Sequence, residues 1–224
     1  MAKFVSNKDE SIRLFKNPIL EFFSHIHPIT PIVVYTPVIM YFGWQGLVHT
    51  GFGWLVVFFG IGVICWTLLE YFLHRFAFHY EPTTSWGKYL HFLSHGIHHD
   101  YPRDSTRLVM PLLVSVPIAI ITHTVFNVVF GVYYYAAFSG IVFGYVSYDS
   151  IHYATHHFQM KWRIGKFLKS YHLKHHYSDS RTGYGVSNPL WDYIFGTSPK
   201  QLKSVEQMVI SASERESIEE ENFL

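Results

Sequence analysis

The stretch VVFFGIGVICW (residues 56–66) decides the fold class, because it lies inside an apolar run that extends from Phe52 to Leu73. A helix needs about 20 apolar residues to cross the hydrocarbon core of a bilayer, so this run predicts a membrane-spanning helix. Three further apolar runs accompany it, at residues 31–48, 108–130 and 132–148. Four such runs leave too little polar chain to cover them in water, which argues against buried helices of a soluble domain. We therefore predict an all-α integral membrane protein with four transmembrane helices and a cytosolic helical cap.

The composition favours the same setting. Of the 224 residues, 49% are hydrophobic, 19% are aromatic and 15% are charged, whereas soluble domains carry about 25% charged residues. The net charge of +1 gives no indication of a nucleic-acid partner. The single cysteine, Cys65, excludes an intramolecular disulfide framework. We expect one domain over residues 1–224, with a cytosolic or interfacial N-terminal segment at 1–28 and a polar C-terminal tail at 203–224.

The distribution of positive charge predicts the orientation. The links at Thr50–Gly53 and Gly131 lack Lys and Arg. The positive-inside rule therefore places both termini and the 74–107 segment in the cytosol, together with every cluster of histidines. The cations on that side are Arg75, Lys88, Arg103, Arg107, Lys161, Arg163, Lys166, Lys169 and Lys174.

The histidines are unusually many and unusually grouped. The chain has 16 of them, as many as Asp plus Glu. Twelve fall in four clusters, which read HRFAFH, HFLSHGIHH, HYATHH and HLKHH: His74 and His79; His91, His95, His98 and His99; His152, His156 and His157; His172, His175 and His176.

The spacings within the clusters suit metal binding. Positions three or four apart lie on one face of a helix, so the cluster at 91–99 and the cluster at 172–176 each aim several imidazoles at one point. His74 and His79 are five apart, which turns a helix by about 140°, so we expect the second membrane helix to end there, before Pro82.

Imidazole suits iron, zinc, copper and nickel. Four clusters supply too many ligands for one ion and fit two ions with about five ligands each. Surface patches or helix-capping imidazoles would explain one cluster but hardly four. Two ferrous ions would support O2-dependent attack on an unactivated C–H bond, and two zinc ions would support hydrolysis; the spacing alone does not distinguish them.

The residues around the clusters resemble a known family. The stretches HGIHHDYPRDSTRLVMP (95–111), GYVSYDSIHYATHH (144–157) and HHYSDSRTGYGVSNPLWDYIFGT (175–197) are similar to the fatty acid hydroxylase / sterol desaturase superfamily. They are most like its fatty acid 2-hydroxylase branch, and the resemblance covers about residues 50–200. It implies hydroxylation at C2 of acyl chains destined for sphingolipids, at a histidine-ligated dimetal centre.

The resemblance also implies roles for individual residues. His91 and His157 would stand behind the metal ligands as hydrogen-bond partners. The ligands themselves would be His74, His79, His95, His98, His99, His152, His156, His172, His175 and His176.

Four other residues are candidates for the site. Asp149 lies one turn before His152 and either orients that imidazole through its far nitrogen or pairs with a cation at the helix end. Tyr148, Tyr184 and Asp192 belong to family-like motifs and are expected to line the site.

The expected cofactors are two metal ions and O2, with iron as the working metal and zinc possible after purification. The expected partners are a lipid acyl substrate, the membrane and a separate electron donor, cytochrome b5-like or ferredoxin-like. The sequence lacks the haem motif of the cytochrome b5 domain that many members of the fatty acid 2-hydroxylase branch carry. A bacterial inner membrane and an endoplasmic reticulum membrane fit equally well. Sterol or carotenoid oxidation or desaturation, a dizinc hydrolase and a non-enzymatic membrane metal-binding protein remain as alternatives.

Overall fold

The computed structural model describes residues 5–199, so the predicted polar tail at 203–224 lies outside the described residues. Within 5–199 the fold is all-α, as predicted, with nine α-helices and no strand. The helices are Pro18–Ser24 (α1), Thr30–Thr50 (α2), Phe52–Phe72 (α3), Ser85–His91 (α4), Ile97–Asp100 (α5), Leu112–Phe130 (α6), Tyr134–His157 (α7), Arg163–Tyr177 (α8) and Leu190–Phe195 (α9).

Helix α7 is the central helix of the bundle and packs against α2, α3 and α6. Its contact with α3 is the most extensive and depends on glycines on both sides. A Cβ atom on Gly140 would lie 2.1 Å from the carbonyl oxygen of Phe59, and one on Gly62 would lie 2.0 Å from that of Ala137. Small residues allow membrane helices to approach this closely. The contact thereby holds α3, which ends just before His74, against α7, which carries the histidines of the third cluster.

The outer faces of the bundle are apolar. Large side chains such as Ile64, Leu113 and Val128 are exposed there, as lipid-facing residues are. Three stretches of the described chain are long and apolar enough to cross a membrane, and the last contains both α6 and α7: Thr30–Thr50, Phe52–Phe78 and Leu112–His157. The protein is therefore a membrane protein, and the number of four spanning helices stays a prediction.

Two π-helical turns lie next to histidine clusters. The first, Leu73–Phe78, continues α3 and is closed by the N–H of His79, which donates to the carbonyl of His74 at 3.1 Å. Since a π-helix pairs residues five apart, it brings His74 and His79 to the same side. The helix ends where the sequence predicted, and the π-helical turn is the means by which both imidazoles reach one site.

The second π-helical turn, Phe92–Gly96, separates α4 from α5. It corrects the expectation that His91 shares one continuous helical face with His95, His98 and His99. The extra residue per turn rotates α4 relative to α5. His95, His98 and His99 are buried, whereas His91 is only half-buried and belongs to neither histidine group described below.

The N-terminal segment folds back on the loop before α6. Helix α1 begins at Pro18, where the side chain of Asn17 accepts from the N–H of Ile19 at 2.8 Å. Arg107 holds this segment, because its guanidinium donates to Glu21 at 2.7 Å and to the hydroxyl of Ser11 at 2.8 Å. Residues 5–17 are not helical, so within the described part of the predicted N-terminal segment at 1–28 the helix is limited to α1.

Candidate metal centre

Five imidazoles from three segments of the chain form the first histidine group. One ring nitrogen of each lies within 4.8 Å of the others. Their Nε2 atoms face one another, at 3.2 Å from His74 to His95, 3.1 Å from His95 to His99 and 2.9 Å from His79 to His175. His79 is half-buried and the other four are buried. The members of the first group are His74, His79, His95, His99 and His175.

The second histidine group has the same size and lies beside the first. All five members are buried, and one ring nitrogen of each again lies within 4.8 Å of the others. The Nε2 atom of His172 is 2.9 Å from that of His156 and 3.0 Å from that of His176. The members of the second group are His98, His152, His156, His172 and His176.

Adjacent histidines connect the two groups. His98 and His99 are neighbours in sequence, as are His175 and His176, and each pair gives one residue to each group. Neighbouring side chains on a helix point about 100° apart, so one backbone can serve two sites that lie side by side. The rings of His99 and His176 stack with their centroids 4.3 Å apart across the boundary.

The chemistry of the donor set fits metal ions. Burial lowers the pKa of His95, His172 and His176 well below its usual value, and neighbouring imidazoles lower it further. These rings are therefore neutral near pH 7, and a neutral imidazole carries one nitrogen lone pair. Neither group contains a carboxylate. Five converging imidazoles without an anion are a donor set that iron, zinc, copper or nickel accepts.

A loop after α8 supports the first group with main-chain carbonyls. His74 donates its Nδ1–H to the carbonyl of Tyr184 at 2.6 Å, and His175 donates its Nδ1–H to that of Thr182 at 2.8 Å. A proton on Nδ1 leaves the lone pair on Nε2, which is the nitrogen that faces the group. The loop therefore fixes both the tautomer and the direction of these two rings.

An apolar cavity of about 320 Å³ adjoins both groups. Its wall includes His95 of the first group and His98 and His152 of the second. Leu20 and Phe23 of α1 form another part of the wall, so the N-terminal segment covers the cavity. The remaining lining includes Phe78, the 108–111 segment, Tyr148 and Asp149. A long apolar chain is the kind of ligand that this cavity suits.

The family model for fatty acid hydroxylases matches residues 59–197. The chain belongs to the fatty acid hydroxylase family. Dihydroceramide fatty acyl 2-hydroxylase FAH2 of Arabidopsis thaliana is 38% identical over 198 residues, which cover 85% of this chain and 81% of FAH2. Ceramide very long chain fatty acid hydroxylase SCS7 of Saccharomyces cerevisiae is 39% identical over 169 residues, which cover 74% of this chain and 44% of SCS7.

This chain has the same fold as a solved structure of scs7p, in which only the hydroxylase domain is visible. The TM-score is 0.78 at 37% identity, and the match covers 83% of this chain and 71% of that chain. The resemblance to fatty acid 2-hydroxylases that the sequence indicated is therefore confirmed.

The structure brings together all ten histidines that the resemblance implied as ligands. It does not give His91 and His157 the supporting role expected of them. The ring of His157 stacks on Tyr153 at a centroid distance of 4.3 Å, and its Nε2 is buried without a hydrogen-bond partner among residues 5–199. His91 forms no hydrogen bond to either group in the described chain.

Asp149 has a different partner from the one predicted. Its carboxylate accepts from the N–H of Met110 at 3.4 Å, whereas Nδ1 of His152 is buried without a partner in the described residues. The expectation that Asp149 orients His152 is therefore wrong in this structure. Asp149 instead lies in the cavity wall.

The other three candidates lie at the site. Tyr148 lines the cavity, and its ring centroid is 5.6 Å from that of His152. The ring of Tyr184 lies against the first group, 5.5 Å from His79. Asp192 is fully buried and contacts the loop behind Tyr184 instead of the metal groups themselves.

Sequence reasoning missed Glu70. This carboxylate is buried one turn before His74 and accepts from the N–H groups of Val186 at 2.7 Å and Ser187 at 2.8 Å. The signal was present in the sequence, because an acidic residue inside an apolar run is costly and therefore has a specific partner. Its partner is a loop more than 110 positions away, which no local pattern identifies.

Proposed function

We propose that this chain is an O2-dependent membrane hydroxylase that places a hydroxyl group on C2 of a fatty acyl chain. The observation that carries the proposal is the pair of five-histidine groups beside an apolar cavity, at one end of a bundle of membrane helices. The relatives support the substrate class, since FAH2 is named as a dihydroceramide fatty acyl 2-hydroxylase and SCS7 as a ceramide very long chain fatty acid hydroxylase. The acyl chain of a sphingolipid is thus the proposed substrate.

The ten grouped histidines are the proposed ligands of two metal ions, five for each. Iron is the proposed working metal, although zinc binds such nitrogen sites more tightly and competes during purification. When bound, a redox-active metal pair would activate O2, and an external donor would supply two electrons. One oxygen atom is inserted into the C2–H bond, which gives C2–OH. The other leaves as water after taking up the two electrons and two protons.

The chain's own residues bind and orient the substrate. Leu20, Phe23 and Phe78 surround the acyl chain and exclude water from the cavity. Tyr148 and Asp149 are the polar groups of the wall near His152 and are placed to meet the polar end of the substrate. Arg107 is unsuited to that role, because Glu21 and Ser11 already occupy its guanidinium.

The electrons are proposed to come from a cytochrome b5-like or ferredoxin-like partner on the cytosolic side. Residues 150–178 contain no Asp or Glu. Their exposed cations Lys161, Arg163 and Lys166 give this side of the molecule a surface that attracts an acidic donor. The positive-inside rule supports a cytosolic location for the same residues, for both termini and for the four histidine clusters.

Tandem mass spectrometry of acyl chains from a host that expresses the protein with a competent electron donor tests the proposal. The expected result is a gain of one oxygen atom that fragments to C2. His175→Ala, which removes a ligand of the first group, should abolish the product. His49→Ala is the matched control, because His49 stacks on Tyr135 at the far end of the bundle. Oxidised sterols or carotenoids without hydroxylated acyl chains would contradict the proposed substrate.

A further inference from the structure

The loop at residues 182–187 is held at two points by buried carboxylates that contact neither histidine group. Asp192 of α9 accepts from the N–H of Tyr184 at 2.9 Å and from that of Gly185 at 2.7 Å. Glu70 of α3 accepts from the next two N–H groups, those of Val186 and Ser187. Four consecutive main-chain donors therefore end on two carboxylates, and hydrogen bonds to charged acceptors are stronger than those between neutral groups.

The loop is shaped for these contacts. Gly183 has a φ of +74°, which favours glycine. A Cβ atom on Gly185 would lie 2.0 Å from the carbonyl oxygen of Asn188 and 3.0 Å from Oδ2 of Asp192. Only glycine lets the main chain come this close to the carboxylate at that position.

One face of α3 connects the loop to the metal ligands. Thr67, Glu70, Tyr71 and His74 lie three or four positions apart and therefore on the same face. Thr67 accepts from the indole N–H of Trp191 at 3.0 Å, and Tyr71 is hydrogen-bonded to the hydroxyl of Thr197 at 3.0 Å. Helix α3 thus leads directly into the π-helical turn that carries His74 and also anchors the segment whose carbonyls orient that ligand.

We propose that Glu70 and Asp192 are positioning residues for the first histidine group, acting through the 182–187 loop on His74 and His175. The carbonyls of Tyr184 and Thr182 accept from these two rings, and both rings belong to the first group. Loss of either carboxylate frees the loop, and the two imidazoles then lose their fixed tautomer and direction. Removal of such outer partners lowers metal affinity by about 10- to 100-fold. The inference rests on the proposed function only in taking the histidines as metal ligands.

Zinc release from purified, zinc-loaded protein to a chromogenic chelator tests the positioning role of Glu70 and Asp192 without substrate or electron donor. In Asp192→Asn and in Glu70→Met, which has no oxygen to accept the N–H groups of Val186 and Ser187, one zinc ion per chain should leave at least about tenfold faster than in wild type, and the other at the wild-type rate. Two reference variants identify the sites: His79→Ala removes a ligand of the first group only, and His176→Ala one of the second only. The carboxylate variants should resemble His79→Ala.

Asp104→Asn is the matched control. Asp104 is also buried and accepts a main-chain N–H, that of Thr106 at 2.9 Å, but it holds the N-terminal segment instead of the 182–187 loop. Its zinc release should equal that of wild type. Ser187→Ala is a milder variant that removes only the hydroxyl bonded to Glu70, and it decides the question if the carboxylate variants do not accumulate.

Two results would overturn the inference: unchanged release from both sites, or equal acceleration from both, which would indicate general loosening of the fold. The proposed function fails separately, if wild type binds two ions yet forms no hydroxylated lipid.

Discussion

The two histidine groups have the same number of ligands but are held in different ways. Two rings of the first group donate from Nδ1 to loop carbonyls. In the second group, the Nδ1 atoms of His152, His172 and His176 are buried without hydrogen-bond partners among residues 5–199. Four of its five members come from the regular helices α7 and α8, so helix packing alone directs them. The first group therefore depends on a loop, and the second on the bundle.

The largest expected effect comes from removing one ligand from either group. His79→Ala and His176→Ala should each lower acyl hydroxylation by at least about 100-fold, because a ligand matters more than its outer partners, which are worth about 10- to 100-fold. Each variant should lose the metal ion of its own group to a chelator first and keep the other, so that elemental analysis then finds one ion per chain. If one variant retained near-normal turnover, only one of the two groups would be needed for the reaction.

The next largest effect should disturb both histidine groups equally. Gly140→Val forces a side chain against the carbonyl of Phe59 and pushes α7 away from α3. Helix α7 carries ligands of the second group, and α3 leads directly into the turn that carries His74 of the first group. Overpacking of this kind costs about 1–3 kcal/mol. We expect a lower unfolding temperature in detergent and loss of both metal ions together.

Gly60→Val is the matched control for that prediction, because nothing lies within 4 Å of a Cβ atom built on Gly60. Selective loss of one ion in Gly140→Val would show that the α3–α7 contact supports one group alone.

The regular parts of this molecule were predictable from the sequence, and the irregular parts were not. Spacings of three and four placed His152, His156, His172 and His176 correctly because α7 and α8 are regular helices. The predicted position of His91 was wrong because a π-helical turn follows this residue, and hydrophobic periodicity does not reveal such a turn. The support of the first group through Glu70 was not predictable, because it joins residues far apart in sequence through main-chain groups.

A smaller effect should leave both groups intact. Burial, the largest influence, would raise the pKa of Glu21, but the N–H groups of Phe15 and Leu14, His25 and Arg107 together lower it from 4.5 to about 2. The contribution of ionised Glu21 to the stability of the N-terminal segment is therefore complete above about pH 4.5 and is lost as the pH falls towards 2. Glu21→Gln should loosen the N-terminal segment by about 1 kcal/mol at pH 7.

Limited proteolysis measures that effect. Trypsin should cleave the variant several-fold faster than wild type after Arg13 and Lys16 at pH 7, with both metal ions retained. Pepsin at about pH 2 should cleave the two proteins at similar rates, because much of the wild-type carboxyl is then protonated. Equal trypsin cleavage would mean that Glu21 does not hold the segment.

The smallest expected effect separates main chain from side chain at the first group. Tyr184 supports His74 through its carbonyl, so Tyr184→Phe should keep zinc release within about twofold of wild type, far below the effect of losing an outer partner. Release as fast as in Asp192→Asn would assign the support to the phenol ring instead.

The most direct test of the proposed activity uses purified, iron-loaded protein with an electron donor, an acyl substrate and ¹⁸O2. We expect one ¹⁸O atom at C2 of the acyl chain in wild type, and no labelled product in His79→Ala or His176→Ala. Label that enters from water instead of O2, or a labelled product that persists without either ligand, would contradict O2-dependent hydroxylation at the two histidine groups.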